Sequence, residues 1–411
     1  MDFNDTPEEA AFRAEVRAFL DANAKKKSET AAANRRRHIS DDEELQQAKA
    51  WQAKKADAGV ARITWPEKWG GRGGTMIQQV IYNEEEARYL VPGGVFAIGL
   101  GMCIPTLMAY ADEAALQRYV RPALRGEEIW CQLFSEPVAG SDLAGLKTRA
   151  ERDGDDWIIN GQKVWTSGAH YSDFGILVTR TDPNAPKHAG LTFFYLDMKS
   201  PGVEVRPIKQ ISGSSNFNEV FFTDVRIPDS QRLGKVGDGW KVSLTTLMNE
   251  RLAVGDAPGP DFEDIFELAR SLELDDGPAI GNPAVREKLA HWYVQAQGLK
   301  YTKFRTMTAL SRGQTPGPES SITKVVSASK LQDIASFGMD LLGMAGGITD
   351  PAIAPMQGWF QEALLYAPGL RIAGGTDEVL RNIIAERVLG LPGDVRVDKD
   401  LPYNKIPSGK G

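Results

Sequence analysis

A hydrophobic period that changes twice limits what this chain can fold into more than any single motif does. From Thr6 to about Gly126 the apolar residues recur at helical spacing. Thr6-Pro7-Glu8-Glu9 supplies an N-cap, a proline at the first helical position and first-turn acids, and Phe12, Val16, Phe19 and Leu20 follow on one face. The helices break at the glycine- and tryptophan-rich stretch Trp65-Pro66-Glu67-Lys68-Trp69-Gly70-Gly71-Arg72-Gly73-Gly74. Over 127–235 the pattern becomes short and β-rich, as in Trp157-Ile158-Ile159, Gly175 to Thr179, Leu191 to Leu196 and Val220-Phe221-Phe222, with turns at Asp153-Gly154-Asp155 and Pro201-Gly202. Helical spacing returns in Trp240 to Leu252 and continues through residues 283–312, 319–342 and 377–389. Long apolar-faced helices with short joins predict a bundle. The fold class is therefore α+β: a helical domain over 1–126, a β domain over 127–235, a helical bundle over 236–395, and a polar tail over 396–411 that is either loose or ordered by contact.

A length of 411 residues exceeds what one hydrophobic core serves, in keeping with several domains. A net charge of −7 gives no electrostatic reason to bind nucleic acid or an anionic membrane. Two basic clusters, Lys25-Lys26-Lys27 and Arg35-Arg36-Arg37-His38, run against that balance, as a solvated polar stretch or a local anion site. Cys103 and Cys131 are too few for a disulfide framework and read as core thiols in a reducing compartment. His38, His170, His188 and His291 lack the paired spacing of a metal site. The N-terminus has no signal-peptide pattern and no apolar run reaches membrane-spanning length, so a soluble, cytoplasmic protein is expected. A Walker loop is absent, and Gly70 to Gly74 follows no strand, which argues against a dinucleotide fingerprint.

Chemistry concentrates in Phe134-Ser135-Glu136-Pro137-Val138-Ala139-Gly140-Ser141-Asp142 and in Ile159-Asn160-Gly161-Gln162-Lys163-Val164-Trp165-Thr166-Ser167-Gly168. Hydroxyl residues flanked by glycine let backbone amides approach a ligand, and a neighbouring tryptophan offers a flat apolar face. Such a surface suits a polar-edged aromatic ring system.

Those two stretches, with Gly374-Gly375-Thr376-Asp377-Glu378-Val379-Leu380-Arg381-Asn382, resemble the acyl-CoA dehydrogenase family over nearly the whole chain. The resemblance implies a middle β-barrel-like domain, a C-terminal four-helix bundle, bound FAD shared between subunits, and assembly as a homotetramer or homodimer. It implies that Gln132, Phe134 and Ser135 line the pyrimidine side of the flavin, that Trp165 and Ser167 flank its other edge, and that Ser141 meets the coenzyme A moiety. Thr376 and Glu378 match positions that hold the diphosphate and adenosine part, and Gly343 matches a small residue packing on a neighbour's adenosine. Electron-transferring flavoprotein is the implied acceptor, and an acyl-CoA the implied substrate.

Two departures qualify the match. Where many members carry an arginine, phenylalanine, glycine and glutamine pattern at a subunit boundary, this chain reads Ala269-Arg270-Ser271-Leu272, which leaves Arg270 alone to reach a neighbour's FAD. The commonest branch also places its catalytic glutamate before the C-terminal Gly-Thr, and here Gly374 stands there. Asn249-Glu250-Arg251-Leu252 resembles the isovaleryl- and long-chain-type branch instead, with Glu250 as base and Arg251 beside the substrate. The implied reaction is α,β-dehydrogenation of an acyl-CoA to a 2,3-enoyl-CoA, with the α proton going to Glu250 and the β hydride to flavin N5. Alternatives of other classes are a non-catalytic FAD-binding subunit of a hetero-oligomer and an oxidase or monooxygenase on the same fold.

Overall fold

Helix α1 (Pro7–Asn23) starts where its sequence directs. Thr6 accepts from Glu9 N while the Glu9 carboxylate accepts from Thr6 N, a reciprocal cap, and Phe12, Val16 and Leu20 are buried. The structure is a computed structural model that describes residues 5–27, 41–253, 259–311, 317–395 and 398–407; of residues 41, 250–253, 307, 310, 311 and 320 it describes the backbone alone. The cluster Arg35 to His38 lies outside the described residues. Lys25-Lys26 forms a short exposed strand, β1, on β2 (Tyr89–Leu90). Helices α2 (Asp41–Asp57), α3 (Met76–Glu86), α4 (Ile104–Tyr110) and α5 (Glu113–Leu124) complete the first helical layer. Between β2 and α4 the chain makes a wider π-turn over Gly99–Cys103, all of it buried.

The middle of the chain is one eight-stranded sheet in the order β10-β7-β6-β4-β5-β9-β8, with β3 pairing in parallel on β6. Its strands are β3 (Trp130–Leu133), β4 (Arg149–Asp153), β5 (Asp156–Ser167), β6 (Phe174–Arg180), β7 (Leu191–Asp197), β8 (Val203–Ile208), β9 (Phe217–Pro228) and β10 (Arg232–Leu233). Among the described residues β8 and β10 stand at its two ends, so the sheet does not close on itself. Strand β6 is buried throughout. Ile176 and Val178 pack with Trp130, Phe193 and the N-terminal helices, whereas Leu177 packs with Phe194, Val220 and Ile227 on the other face. That double burial explains why β6 reads as a continuous apolar run instead of an alternating one.

Helix α6 (Gly239–Ala253) crosses back over the sheet, its Val242 buried in the same core as Phe193 and Ile104. The bundle follows: α7 (Phe262–Ser271), the short pair β11 (Glu273–Leu274) and β12 (Gly277–Pro278), α8 (Pro283–Ser311), α9 (Ser320–Leu342), α10 (Trp359–Leu370) and α11 (Asp377–Ile383). Ile265, Leu268, Leu289, Trp292, Ile334 and Phe360 form its core. Helices α9 and α10 approach closely because Gly338 faces Phe360: a Cβ there would lie 2.2 Å from the ring. The architecture is α+β, helices then sheet then helices, as the change of period predicts.

Candidate active site

A parity switch builds the site. In β5 the side chains of Trp157 and Ile159 point inward, and a register shift between Lys163 and Thr166 then leaves Lys163 and Val164 buried in succession. A bulge of this kind re-aims the residues after it. Trp165 and Ser167 consequently turn away from the core that holds Val164 and Thr166, and Trp165 is 59% exposed. Its φ of 60° lies in the left-handed region, which costs a non-glycine residue about 1–2 kcal/mol. Phe217 braces the indole edge-on at 6.0 Å.

The segment after β3 is sewn to this bulge. Val164 N donates to Ser135 O at 2.8 Å, and the Lys163 ammonium donates to Phe134 O at 3.0 Å. Phe134 is buried and Ser135 half-buried; Gln132 is half-buried on β3. Gln132, Phe134, Ser135, Trp165 and Ser167 therefore share two adjoining stretches of backbone.

Two residues that sequence reasoning passed over hold the arrangement together. Lys163 is fully buried and pairs with Glu136 at 2.8 Å, while Lys147 N and Thr148 N donate to the same carboxylate at 2.6 and 2.9 Å. Burial is the largest influence on Glu136 and favours its neutral form, but Lys163 and those donors outweigh it and hold the carboxyl below the usual glutamate range. Burial pushes the Lys163 ammonium down, against the pull of Glu136. Glu136 thus fixes both ends of the loop that carries Ser141. A lysine at an inward-facing strand position was the available signal.

That loop, with Ser141 exposed on it, runs beside a second one, residues 182–190. Arg180, buried at the end of β6, donates to Ala144 O at 2.5 Å, Leu146 O at 3.1 Å and Lys187 O at 3.2 Å. The tail lies on the same place: Tyr403 covers the Arg180 guanidinium at 3.4 Å, so of the two expected alternatives residues 398–407 follow the contact-ordered one.

Helix α6 is tied to α4 by paired hydroxyls, Thr106 with Thr246 and Tyr110 with Thr245, each at 2.9 Å. Glu250 follows Thr246 by one helical turn, with Arg251 next; the side chains of Glu250 and Arg251 lie outside the described residues. In the bundle, Thr376 caps α11 by accepting from Val379 N at 3.2 Å, and Asp377, 2% exposed, pairs with Arg371. Thr376, Glu378, Arg371 and Gln332 border a cavity of 310 Å³. Gly374 has φ 65°, a conformation that favours glycine. Arg270 is exposed at the end of α7, and Gly343, with φ 52° and open space around it, ends α9 beside the fully exposed Met344. The bundle residues and the β5 bulge belong to different parts of the molecule.

 Among the described residues, the two groups are carried by separate elements, Thr376 and Glu378 at the start of α11 and Trp165 and Ser167 on β5.

Comparison with known proteins extends these local matches to the whole chain. Three family models match in succession: acyl-CoA dehydrogenase N-terminal domain over residues 6–127, middle domain over 131–225 and C-terminal domain over 237–389. The acyl-CoA dehydrogenase IpdE1 of Mycobacterium tuberculosis is 38% identical over 359 residues, 86% of this chain and 90% of that protein. The acyl-CoA dehydrogenase FadE34 of the same organism is 38% identical over 339 residues, 82% of this chain but only 45% of FadE34. Among solved structures, the Tcur3481-Tcur3483 steroid ACAD superposes with a TM-score of 0.76 at 27% identity, covering 96% of this chain and all of that one. Since the matched models run through both helical parts and the sheet in the same order as the fold, the chain belongs to the acyl-CoA dehydrogenase family of oxidoreductases.

Proposed function

We propose that this chain is an FAD-dependent dehydrogenase that converts an acyl-CoA to its 2,3-enoyl-CoA, with Glu250 as the base. The observation that carries this reading is the seam between Ser135 and Val164, which sets an exposed, strained Trp165 beside two half-buried serines. The residues present fit a flavin. A large indole left open on a rigid strand, with the Ser135 and Ser167 hydroxyls and backbone amides beside it, suits a flat ring with a polar edge. When bound, FAD supplies the two-electron acceptor for the hydride leaving Cβ.

Everything else falls to the protein. Gln132, Phe134 and Ser135 hold the pyrimidine side, and Trp165 and Ser167 the other edge. Ser141 meets the coenzyme A portion, with Arg251 near the substrate. Thr376 and Glu378 border the cavity suited to the diphosphate and adenosine part, while Gly343 and Arg270 reach the cofactor of a neighbouring subunit. Glu250 removes the α proton from its place on α6, a helix held against α4 by the two hydroxyl pairs. Gly374 has no side chain to accept a proton. The acyl group lies between the π-turn over Gly99–Cys103, α4 and α6, which pack on one another. Electron-transferring flavoprotein takes up the electrons, and the working assembly is a homodimer or homotetramer.

A second function is favoured by one feature, the glycine at 374. The structurally similar steroid ACAD is named for two components, Tcur3481 and Tcur3483. By that analogy this chain works beside a second, different chain, on a bulky ring-bearing acyl-CoA. Flavin content and turnover of the purified single chain separate the two: a homo-oligomer that holds FAD and turns over alone supports the first, and flavin uptake only with a partner chain supports the second.

A further inference from the structure

The family match ends at residue 389, yet the chain continues, and residues 398–407 return to the middle domain beside the loop that carries Ser141. Their contacts are specific. Tyr403 OH donates to Gly145 O at 2.9 Å, and the Tyr403 ring covers Arg180. Arg180 in turn holds Ala144 O and Leu146 O, so three consecutive carbonyls of one turn are fixed by this one pair of side chains. At the start of the turn, Lys187 holds Asp142 at 3.0 Å and Asp398 at 2.8 Å. The tail backbone pairs with the second loop as well: Tyr403 N donates to Ala185 O at 2.9 Å and Asn404 N to Pro183 O at 3.0 Å.

We propose that residues 398–407 form a strap that completes the coenzyme A site of this chain, with Tyr403 as its positioning residue. The inference rests on the reading of Ser141 as the residue that meets the coenzyme A portion. Gly140 to Asp142 at the tip of the first loop and most of the second loop lie exposed, and an exposed stretch without such bracing samples several conformations. Apparent affinity falls in proportion to the fraction of molecules in the competent one. Tyr403 raises that fraction by closing Arg180 from water and anchoring Gly145, and Asp398 does so by holding Lys187 against Asp142. The strap therefore acts first on substrate binding, while the flavin stretches keep their own bonds through Lys163 and Val164.

The test uses the FAD-loaded protein. Binding of free coenzyme A is measured by calorimetry, and KM and kcat with the acyl-CoA turned over best, for the parent, Tyr403→Phe, Tyr403→Ala and a chain ending at Val395. Loss of one hydrogen bond and one cation–π contact predicts a rise of about tenfold in Kd and KM for Tyr403→Ala, and about threefold for Tyr403→Phe, which keeps the ring. Flavin content and kcat stay near the parent's. A parent that binds coenzyme A with variants that bind it equally well overturns the strap alone, as does a fall of flavin content and kcat in step with affinity. A parent that binds no coenzyme A or acyl-CoA overturns the functional reading, and the strap with it.

Discussion

Lys163 and Trp165 stand two residues apart on one strand and do opposite things. Lys163 is fully buried, its charge met by Glu136 and by Phe134 O. Removing one partner of a buried pair leaves the other charge without compensation, so Lys163→Met is expected to cost about 3–5 kcal/mol in chemical denaturation. The double variant Glu136→Gln/Lys163→Met should recover most of that loss, and equal stability of Lys163→Met and parent would contradict the role. The pair also carries a pH dependence. Because the folded state holds the Glu136 carboxyl below its usual range, its contribution is present above the ordinary glutamate pKa and is lost as pH falls through the lowered value. Acid unfolding of the parent should therefore be steeper than that of the double variant. Trp165 is exposed, so Trp165→Ala should change stability by no more than about 0.5 kcal/mol while FAD is lost more readily on dilution. Unchanged FAD retention would make Trp165 an ordinary surface residue. Trp165 could be singled out as a candidate because its motif carries it. Lys163 was not, because a lysine in a strand ordinarily faces water, and only the parity of its neighbours reveals that this one cannot.

Elements were legible where periodicity is local. Helices α1, α6, α8 and α9 and strands β6 and β7 lie within a few residues of where apolar spacing predicts them. Pairing over distance was not. The parallel contact of β3 with β6 joins Gln132 to Ile176, and no local signal in either segment announces the other. The tail is the clearer case. A polar stretch with prolines and glycines buries too little to order itself, and what orders residues 398–407 is a buried arginine on β6 and a lysine in a distant loop. The segment 377–389 was foreseen as one helix; α11 ends at Ile383 and the chain widens into a π-turn over Ile384–Val388. Such a turn adds one residue to a single helical turn, too short a departure over five residues for the apolar period to reveal.

On the scale of the whole molecule, apolar side chains remain open on the bundle. Tyr293, Val294 and Tyr301 of α8 and Met344 after α9 are half to fully exposed, and Gly343 adjoins the last of these. Such side chains are candidates for burial between subunits. An oligomer is expected in sedimentation, with FAD occupancy falling as dilution separates the subunits; a monomer that keeps full FAD and activity would contradict it. The most direct test of the whole account is anaerobic flavin reduction. The purified yellow protein is mixed with a panel of acyl-CoA thioesters, straight-chain, branched and ring-bearing, alongside Glu250→Gln. The account predicts bleaching of the parent by at least one thioester and a rate about 10²–10⁴-fold lower in Glu250→Gln with its flavin content intact. Equal rates in the two proteins, or a parent that takes up no FAD, would contradict it.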